Sequence, residues 1–404
     1  MNILLDFNLF SIKLGCSEYG RRVVFSILDK SLERDDINVF ALYDSTQRIV
    51  YDDLAEAQVN QYYRIEYLDI SKMSLTQLVE RYHIDKIFFP CIQISVGLEG
   101  LSNLDCEVVF VSHDIAHEEL YRDRIRLYMD YMKIVYRSIS SSRWRLLYRT
   151  LKLVIGGNRY DSWREFIKPA IDLYHNNPKT RIITVSEYSK NSLVYYYSIR
   201  PEDITVLYSP QRCCQELDTV SDKRLSELIE SGRKYYLMVS ANRVEKNPYK
   251  LIKAFQSFSS SNPDSYLVTV GWYDYPLFAN HIPLPFLSDS DLLKAYSNCY
   301  ALLFPSFFEG FGYPSIEVMQ YGKPVLASYS TAIPEILGDA AIYFCPFFES
   351  AIFDALNRLD GGNYAEYSSR SKQRYKEISN RQKKDLDTIV ELLFDTAKFG
   401  HNVK

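Results

Sequence analysis

At 404 residues with 47% hydrophobic content and no low-complexity tract, the chain has apolar material for more than one core, and two domains are expected. Its seven cysteines (Cys16, Cys91, Cys106, Cys213, Cys214, Cys299 and Cys345) are odd in number, scattered and never spaced as Cys-x-x-Cys, which argues against a disulfide framework and a structural zinc site and fits a reducing compartment. The net charge of −4 conceals a basic segment, 121–168, with 12 Lys or Arg against 4 Asp or Glu, so the remainder is acidic.

The N-terminus "MNILLDFNLF" lacks a basic region, a long apolar run and a small-residue cleavage site, so it reads as a first strand and not a signal peptide. No window approaches the roughly 18 apolar residues of a membrane span. Strand-like runs follow at 3–7, 37–43, 86–90, 107–112 and 181–185, with helix-like segments at Glu18–Lys30, Leu75–Tyr82 and Glu187–Tyr197 between them. That alternation predicts an α/β fold with a parallel sheet covered on both faces. Tyr208-Ser209-Pro210 interrupts the periodicity, and the pattern restarts with strands at 235–240, 266–270, 300–305, 324–328 and 341–344. The expected division is an N-terminal domain over 1–208 with a basic helical insertion at about 120–175, a C-terminal domain over 209–385, and a last helix over 386–404. That helix carries Leu386, Ile389, Val390, Leu393 and Ala397 on one face and so packs on a domain that the sequence does not identify. Ligands of such sheets bind beyond the carboxyl ends of the strands, and two facing sheets would form a cleft.

The stretch "SFFEGFGYPSIEVMQYGKPV", Ser306 to Val325, lies after one of these strands. Gly310 and Gly312 permit a close backbone turn, Pro314 suits the first turn of a helix, and Gly322 is a natural stop. Strand, glycine turn and helix start leave free N–H groups at a helix N-terminus, which favours an anion. Glu309 and Glu317, the latter expected in the first helical turn, bracket that position. Carboxylates accept hydrogen bonds from vicinal hydroxyls, so the pair suits a molecule with sugars on either side of phosphates. The plainer alternative is a solvated loop acid and a helix-favouring glutamate.

In "VSANRVEKNPYKLIKAF", Arg243 and Lys246 follow a strand and precede Asn247-Pro248, read as an N-cap and a first-turn proline. Two cations there supply counter-charge to an anionic ligand; two surface cations beside a helix are the alternative. In "VVFVSHDIAHEE", His113 follows a first-domain strand. It is a site candidate, a structural histidine, or with His117 half of a metal site that lacks a third ligand. Gly15 and Gly20 lie in the loop expected after the first strand. Ser186 is explained as an N-cap, and Asp289-Ser290-Asp291 spells a metal-binding Asp-x-Asp but reads better as the acidic first turn of a helix capped by Ser288.

Glu309, seven residues and Glu317, with the continuation "YGKPVLASYSTAIPEILGDAAIYFCP" through Pro346, resemble the donor-site signature of family 4 glycosyltransferases. The resemblance is strong over 235–346, fainter over 1–20, 107–118 and 181–210, and absent over 120–175. It implies a GT-B fold of two Rossmann-like domains facing a central cleft, and transfer of a sugar from a nucleotide-diphosphate donor with retained anomeric configuration. No metal and no cofactor beyond that donor are implied. By position, Glu309 would contact the donor sugar, Glu317 the ribose, the amides of Phe311, Gly312 and Tyr313 the donor, and Arg243 and Lys246 the diphosphate. Relatives place the arginine next to the lysine, where this chain has Glu245. His113 and the Gly15 loop would approach from the N-terminal domain.

The basic segment interleaves its cations with Tyr128, Tyr131, Tyr136, Trp144, Tyr148, Trp163 and Phe166, and 143–155 repeats apolar residues at helical spacing. Such a helix suits an anionic membrane surface and a lipid-linked acceptor. An ordinary helical insertion is the alternative, and nucleic acid is not expected because no binding module is present. The expected protein is a cytoplasmic glycosyltransferase, peripheral on the cytoplasmic face of the membrane, acting on a glycan or lipid-linked glycan in surface polysaccharide assembly. A sugar-nucleotide epimerase, a phosphorylase and a non-catalytic binding module are the alternatives on the same architecture.

Overall fold

The computed structural model of the chain describes residues 1–11, 15–47, 65–119, 158–212, 219–272 and 276–395. These form two compact units: 1–11, 15–47, 65–117, 159–212 and 381–395 belong to the first, and 118–119, 158, 219–272 and 276–380 to the second. The chain passes from one to the other after Arg212 and returns at Arg381, within one helix.

The first unit is built on seven parallel strands: β1 (Asn2–Asp6), β2 (Asn38–Tyr43), β3 (Glu66–Asp69), β4 (Lys86–Phe89), β5 (Glu107–Ser112), β6 (Thr180–Thr184) and β7 (Ile204–Val206), in the order β3-β2-β1-β4-β5-β6-β7. Helix α1 (Gly15–Ser31) buries Val23, Val24, Ile27 and Leu28. Helix α2 (Leu75–Arg81) begins in a reciprocal capping box between Ser74 and Gln77 and buries Leu75, Leu78 and Val79. Helices α3 (Asn158–Asn176) and α4 (Glu187–Tyr197) complete the unit, and the Ser186 hydroxyl caps α4 as expected. Strand order reverses between β1 and β4, so their carboxyl ends, followed by Phe7 and Pro90, flank the switch point where ligands of such sheets bind.

The second unit repeats the plan. Helix α5 (Lys223–Glu230) leads into β8 (Lys234–Met238), α6 (Pro248–Ser261), β9 (Ser265–Val270), β10 (His281–Leu284), α7 (Asp289–Asn298), β11 (Ala301–Phe304), α8 (Tyr313–Met319), β12 (Val325–Ser328), α9 (Ile333–Leu337), β13 (Ala341–Phe344) and α10 (Glu349–Arg358). The six strands run parallel in the order β10-β9-β8-β11-β12-β13, which puts the switch point between β8 and β11. Ser288 caps α7, and Asp291 accepts from the Ser221 and Asp222 amides at 2.8 and 3.2 Å, so this acid ties α5 to α7.

Three strands were not foreseen, and each lies at a sheet edge: β3, β7 and β10. An edge strand has one neighbour and shows a weaker apolar run; Pro283 in β10 is tolerated because an edge strand has unpaired positions. The expected insertion at 120–175 also needs correction at its far end. Ile167, Ala170, Ile171, Leu173 and Tyr174 of α3 are buried in the first unit's core, an apolar stripe masked in the sequence by the charges around it. The basic stretch 121–157 lies outside the described residues.

The last helix, α11 (Tyr364–Phe394), buries Ile389, Val390, Leu393 and Phe394, and its residues from Arg381 belong to the first unit; Ala397 lies outside the described residues. Polar contacts set its register. Asp385 accepts from the Tyr208 amide at 2.7 Å, Gln382 donates to the Ser209 carbonyl at 2.6 Å, and the Arg381 guanidinium stacks 3.5 Å over the Tyr208 ring. Lys86, 2% exposed at the start of β4, donates to the carbonyls of Leu392 and Asp395 at 2.9 and 3.3 Å and pairs with Glu107 at 3.2 Å. A buried ammonium thus meets carbonyls that a helix end leaves unbonded. Lys86→Ala strands those carbonyls and Glu107, and urea unfolding should show a loss of about 3–5 kcal/mol, with amide exchange accelerated first in residues 389–395.

Candidate active site

The second unit gathers its chemistry at the carboxyl ends of β8 and β11, the two strands flanking its switch point. After β8 the chain turns through Ser240, at φ +58°, to Arg243, makes a single 3-10 turn over Val244–Lys246, and enters α6 through Asn247, at φ +59°. Asn247 was expected to cap α6 with its side chain. It occupies the N-cap position, but its amide instead donates to the Pro305 and Pro346 carbonyls at 3.2 and 2.9 Å. The chain segments following β8, β11 and β13 are thereby tied together, and the Ser328 hydroxyl at the end of β12 adds the fourth by donating to the Ser306 carbonyl at 2.5 Å.

Lys246 and Glu309, expected in the same site, are in direct contact. The Lys246 ammonium donates to Glu309 Oε1, the Ser306 hydroxyl donates to the same oxygen at 2.6 Å, and the two residues are 7% and 8% exposed. The ammonium also lies 5.6 Å from the centre of the Phe304 ring. Both bonds land on Oε1, which leaves Oε2 to receive a ligand hydroxyl. Arg243 is placed differently: it is about half exposed and its guanidinium pairs with Glu245 at 2.6 Å. Burial opposes ionisation of Glu245, yet Arg243 and then Lys246 hold its carboxyl below the usual value.

Gly312, at φ +93°, forms the N-cap of α8 and is followed by Tyr313 and Pro314. A Cβ there would meet the Phe304 ring at 3.2 Å, so glycine serves both the left-handed backbone and the close approach. Phe311 is buried with its ring 5.6 Å from that of Tyr313. Glu317 corrects an expectation: α8 starts at Tyr313, so Glu317 is its fifth residue and lies past the first turn, partly buried.

In the first unit His113 follows β5, and its Nε2 lies 2.9 Å from the Pro90 carbonyl. A carbonyl only accepts, so Nε2 carries the proton and a neutral ring has Nδ1 as its acceptor. Burial lowers the imidazole pKa from its ordinary value, and the Tyr19 ring of α1 packs edge-on at 4.6 Å. Gly15 is not in a loop: it is the first residue of α1, with open space where a Cβ would stand. Gly20 lies inside α1, where a Cβ would fall 1.8 Å from Leu9 Cδ2, so it is a packing glycine. Among the described residues no group of three or more His, Cys, Asp or Glu is arranged to hold a metal ion.

Three polar residues at these strand ends escaped the sequence reading. Ser306 shares Oε1 of Glu309 with Lys246. Thr331, between β12 and α9 at φ +49°, bonds to the Glu309 backbone through its hydroxyl. Asp6 ends β1 at the first unit's switch point, wholly buried; its Oδ1 accepts from the Asn8 amide and side chain at 3.0 and 2.9 Å, and Oδ2 has no hydrogen-bond partner among the described residues. Burial outweighs the Asn8 bonds and raises its pKa from 3.8 to about 7. A carboxylate closing the apolar run "ILLD" was the available signal.

Residues 220–359, which contain Arg243, Lys246, Glu309 and Glu317, match the family model Glycosyl transferases group 1. The O-antigen chain mannosyltransferase RfbU of Salmonella typhimurium is 28% identical over 194 residues, 44% of this chain and 50% of that protein. The O-antigen chain mannosyltransferase B of Escherichia coli is 26% identical over 190 residues, 41% of this chain and 47% of that protein. The chain therefore spans about half the length of these curated relatives. A crystal structure of Anabaena HepE in complex with UDP and glucose matches with a TM-score of 0.61 at 16% identity, covering 97% of this chain and 98% of that one. The two parallel sheets and this likeness define a GT-B fold.

Two outcomes follow from the geometry. Lys246→Ala leaves Glu309 enclosed without its cation and should cost about 3–5 kcal/mol in urea unfolding, most of it recovered in the double variant Lys246→Met with Glu309→Leu, which removes both charges. Asp6 holds its proton more tightly folded than unfolded, so it adds stability below pH 3.8 that is lost as pH rises through about 7. Asp6→Asn should flatten that part of the melting-temperature profile, and identical slopes in both proteins would mean that Asp6 is ionised.

Proposed function

We propose that the chain is a retaining glycosyltransferase of the family 4 type, which moves a sugar from a nucleotide-diphosphate donor to a glycan or lipid-linked glycan during surface polysaccharide assembly. The observation that carries this reading is the enclosed Lys246–Glu309 pair at the switch point between β8 and β11, inside the stretch that matches the glycosyl transferases group 1 model. A Rossmann-like sheet receives its ligand at this place, and a cation beside a hydroxyl-accepting carboxylate suits a phosphate joined to a sugar.

In this reading Lys246 and Arg243 hold the diphosphate, Glu309 takes a donor-sugar hydroxyl, Glu317 the ribose, and the amides of Phe311 to Tyr313 line the donor. The acceptor oxygen bonds to the anomeric carbon on the face from which the diphosphate leaves, and the departing phosphate oxygen takes the acceptor proton. Lys246 stabilises the charge that develops on the leaving group, which is where a fixed cation lowers the barrier. Acceptor binding is assigned to the first unit, at the strand ends where His113 and Asp6 lie, with Gly15 at the start of α1 close in sequence. The O-antigen mannosyltransferases among its relatives make mannose the first donor sugar to test. No resident metal is required, and the enzyme works on the cytoplasmic side of a membrane, with 121–168 against its anionic surface. No helix among the described residues is long and apolar enough to cross a membrane.

A melting-temperature panel of UDP, GDP, ADP, CMP and dTDP, with and without magnesium, tests the donor site. One base should raise the melting temperature selectively and equally with EDTA present, because a ligand that favours the folded state stabilises it. With the donor so identified, Glu309→Gln keeps an amide oxygen that accepts from Ser306 and Lys246 but removes the charge beside the ammonium, so the variant should fold with lowered stability while turnover, measured below its melting temperature, falls on the order of 10²-fold. Near-normal turnover removes Glu309 from the site, and sugar-nucleotide conversion without an acceptor, or dependence on inorganic phosphate, would replace transfer by epimerisation or phosphorolysis.

A further inference from the structure

Thr331 stands in the turn between β12 and α9, and its one side-chain oxygen is used twice on the same residue. Oγ1 donates to the Glu309 carbonyl at 3.0 Å and accepts from the Glu309 amide at 3.0 Å. Only a hydroxyl can both donate and accept from a single side-chain atom of this size. Among the described residues, Glu309 has no other hydrogen bond to its backbone. It sits in irregular chain between β11 and α8, followed by Gly310 and, two residues on, Gly312, so no helix or strand hydrogen bonding holds its peptide.

The residue type at 331 is itself informative. Its φ is +49°, a region that glycine enters freely and that is an outlier for a β-branched residue. A glycine would relieve the backbone, and the hydroxyl is what a glycine would lose. Such strain concentrates where the surrounding structure enforces a functional geometry. We propose that Thr331 is a positioning residue that brackets the Glu309 peptide on both sides and thereby aims the carboxylate at Lys246 and Ser306. The geometric part of this inference stands on the contacts alone; its effect on turnover rests on the reading of Glu309 as the donor-sugar contact.

The test uses the full chain with Thr331→Ser, Thr331→Val and Thr331→Gly, with UDP-glucose and GDP-mannose as donor probes and release of nucleoside diphosphate as the readout. The serine variant keeps the hydroxyl and should retain turnover. Valine and glycine should lower kcat at least about tenfold with donor KM changed by less than about threefold. Thr331→Gly is decisive for role: relieved of strain, it should melt no lower than wild type and yet be slow. A residue that merely stabilised the turn would give the opposite, a glycine variant that melts lower and yet works at full rate. Crystal structures of the glycine variant should show the Glu309 carboxylate withdrawn from Ser306, and this readout holds if neither probe is consumed; an unmoved carboxylate overturns the proposal. Glu309→Gln in the same assay separates the failures. Full activity there sinks the donor-site reading, whereas a slow Glu309→Gln beside a fast Thr331→Gly sinks only the role of Thr331.

Discussion

A lysine ammonium and a glutamate carboxylate, both withdrawn from water, are each stable in this fold only because the other is present. Lys246 comes from the segment after β8 and Glu309 from the segment after β11, strands that are neighbours in the sheet although 62 residues separate the end of one from the start of the other. Their contact therefore depends on the strand order, on the αL turn at Asn247, and on the polar bonds that tie Pro305, Pro346, Ser306 and Ser328 into one layer. The pair is held in place: its charges rest on neighbours whose own positions are fixed.

The first unit handles enclosed charge in two other ways. Lys86 joins Glu107 to the Leu392 and Asp395 carbonyls at the end of α11, so it serves chain organisation. Asp6 has only the Asn8 donors on one oxygen and holds a proton up to about pH 7. A neutral acid at a strand end differs chemically from an anion: it donates a hydrogen bond where a carboxylate only accepts. At the carboxyl end of β5 in the same sheet, His113 has its Nε2 proton engaged by Pro90, leaving Nδ1 as an acceptor in the neutral ring.

How far the sequence reached can be seen from particular residues. The central strands were legible because both faces are covered, so their runs are continuously apolar; β3, β7 and β10, at the edges, are short or mixed and were not. The placing of Glu309 after β11 and of Pro314 in the first turn of α8 followed from turn chemistry, which is local. Glu317 was misplaced within its helix because the start of α8 moved by a residue or two, and helix ends are the least certain element boundaries. Asn247 was assigned a capping bond by residue type, but its amide answers to two carbonyls distant in sequence. Thr331 and Ser306 carried no signal at all: a hydroxyl looks the same in a sequence whether it faces water or holds a glutamate, and only the parallel arrangement of β11 and β12 makes Thr331 a neighbour of Glu309. The expected loop at Gly20 failed for a related reason, since glycine serves helix packing as readily as turns.

The path of α11 has a consequence for how the protein is made. Its residues from Arg381 complete the first unit, where the Tyr208 amide, the Ser209 carbonyl and the Lys86 ammonium find their partners. During synthesis those partners emerge only after the whole of the second unit has left the ribosome. The unit that begins the chain is thus completed last, since its final helix seat is filled only when the residues from Arg381 emerge.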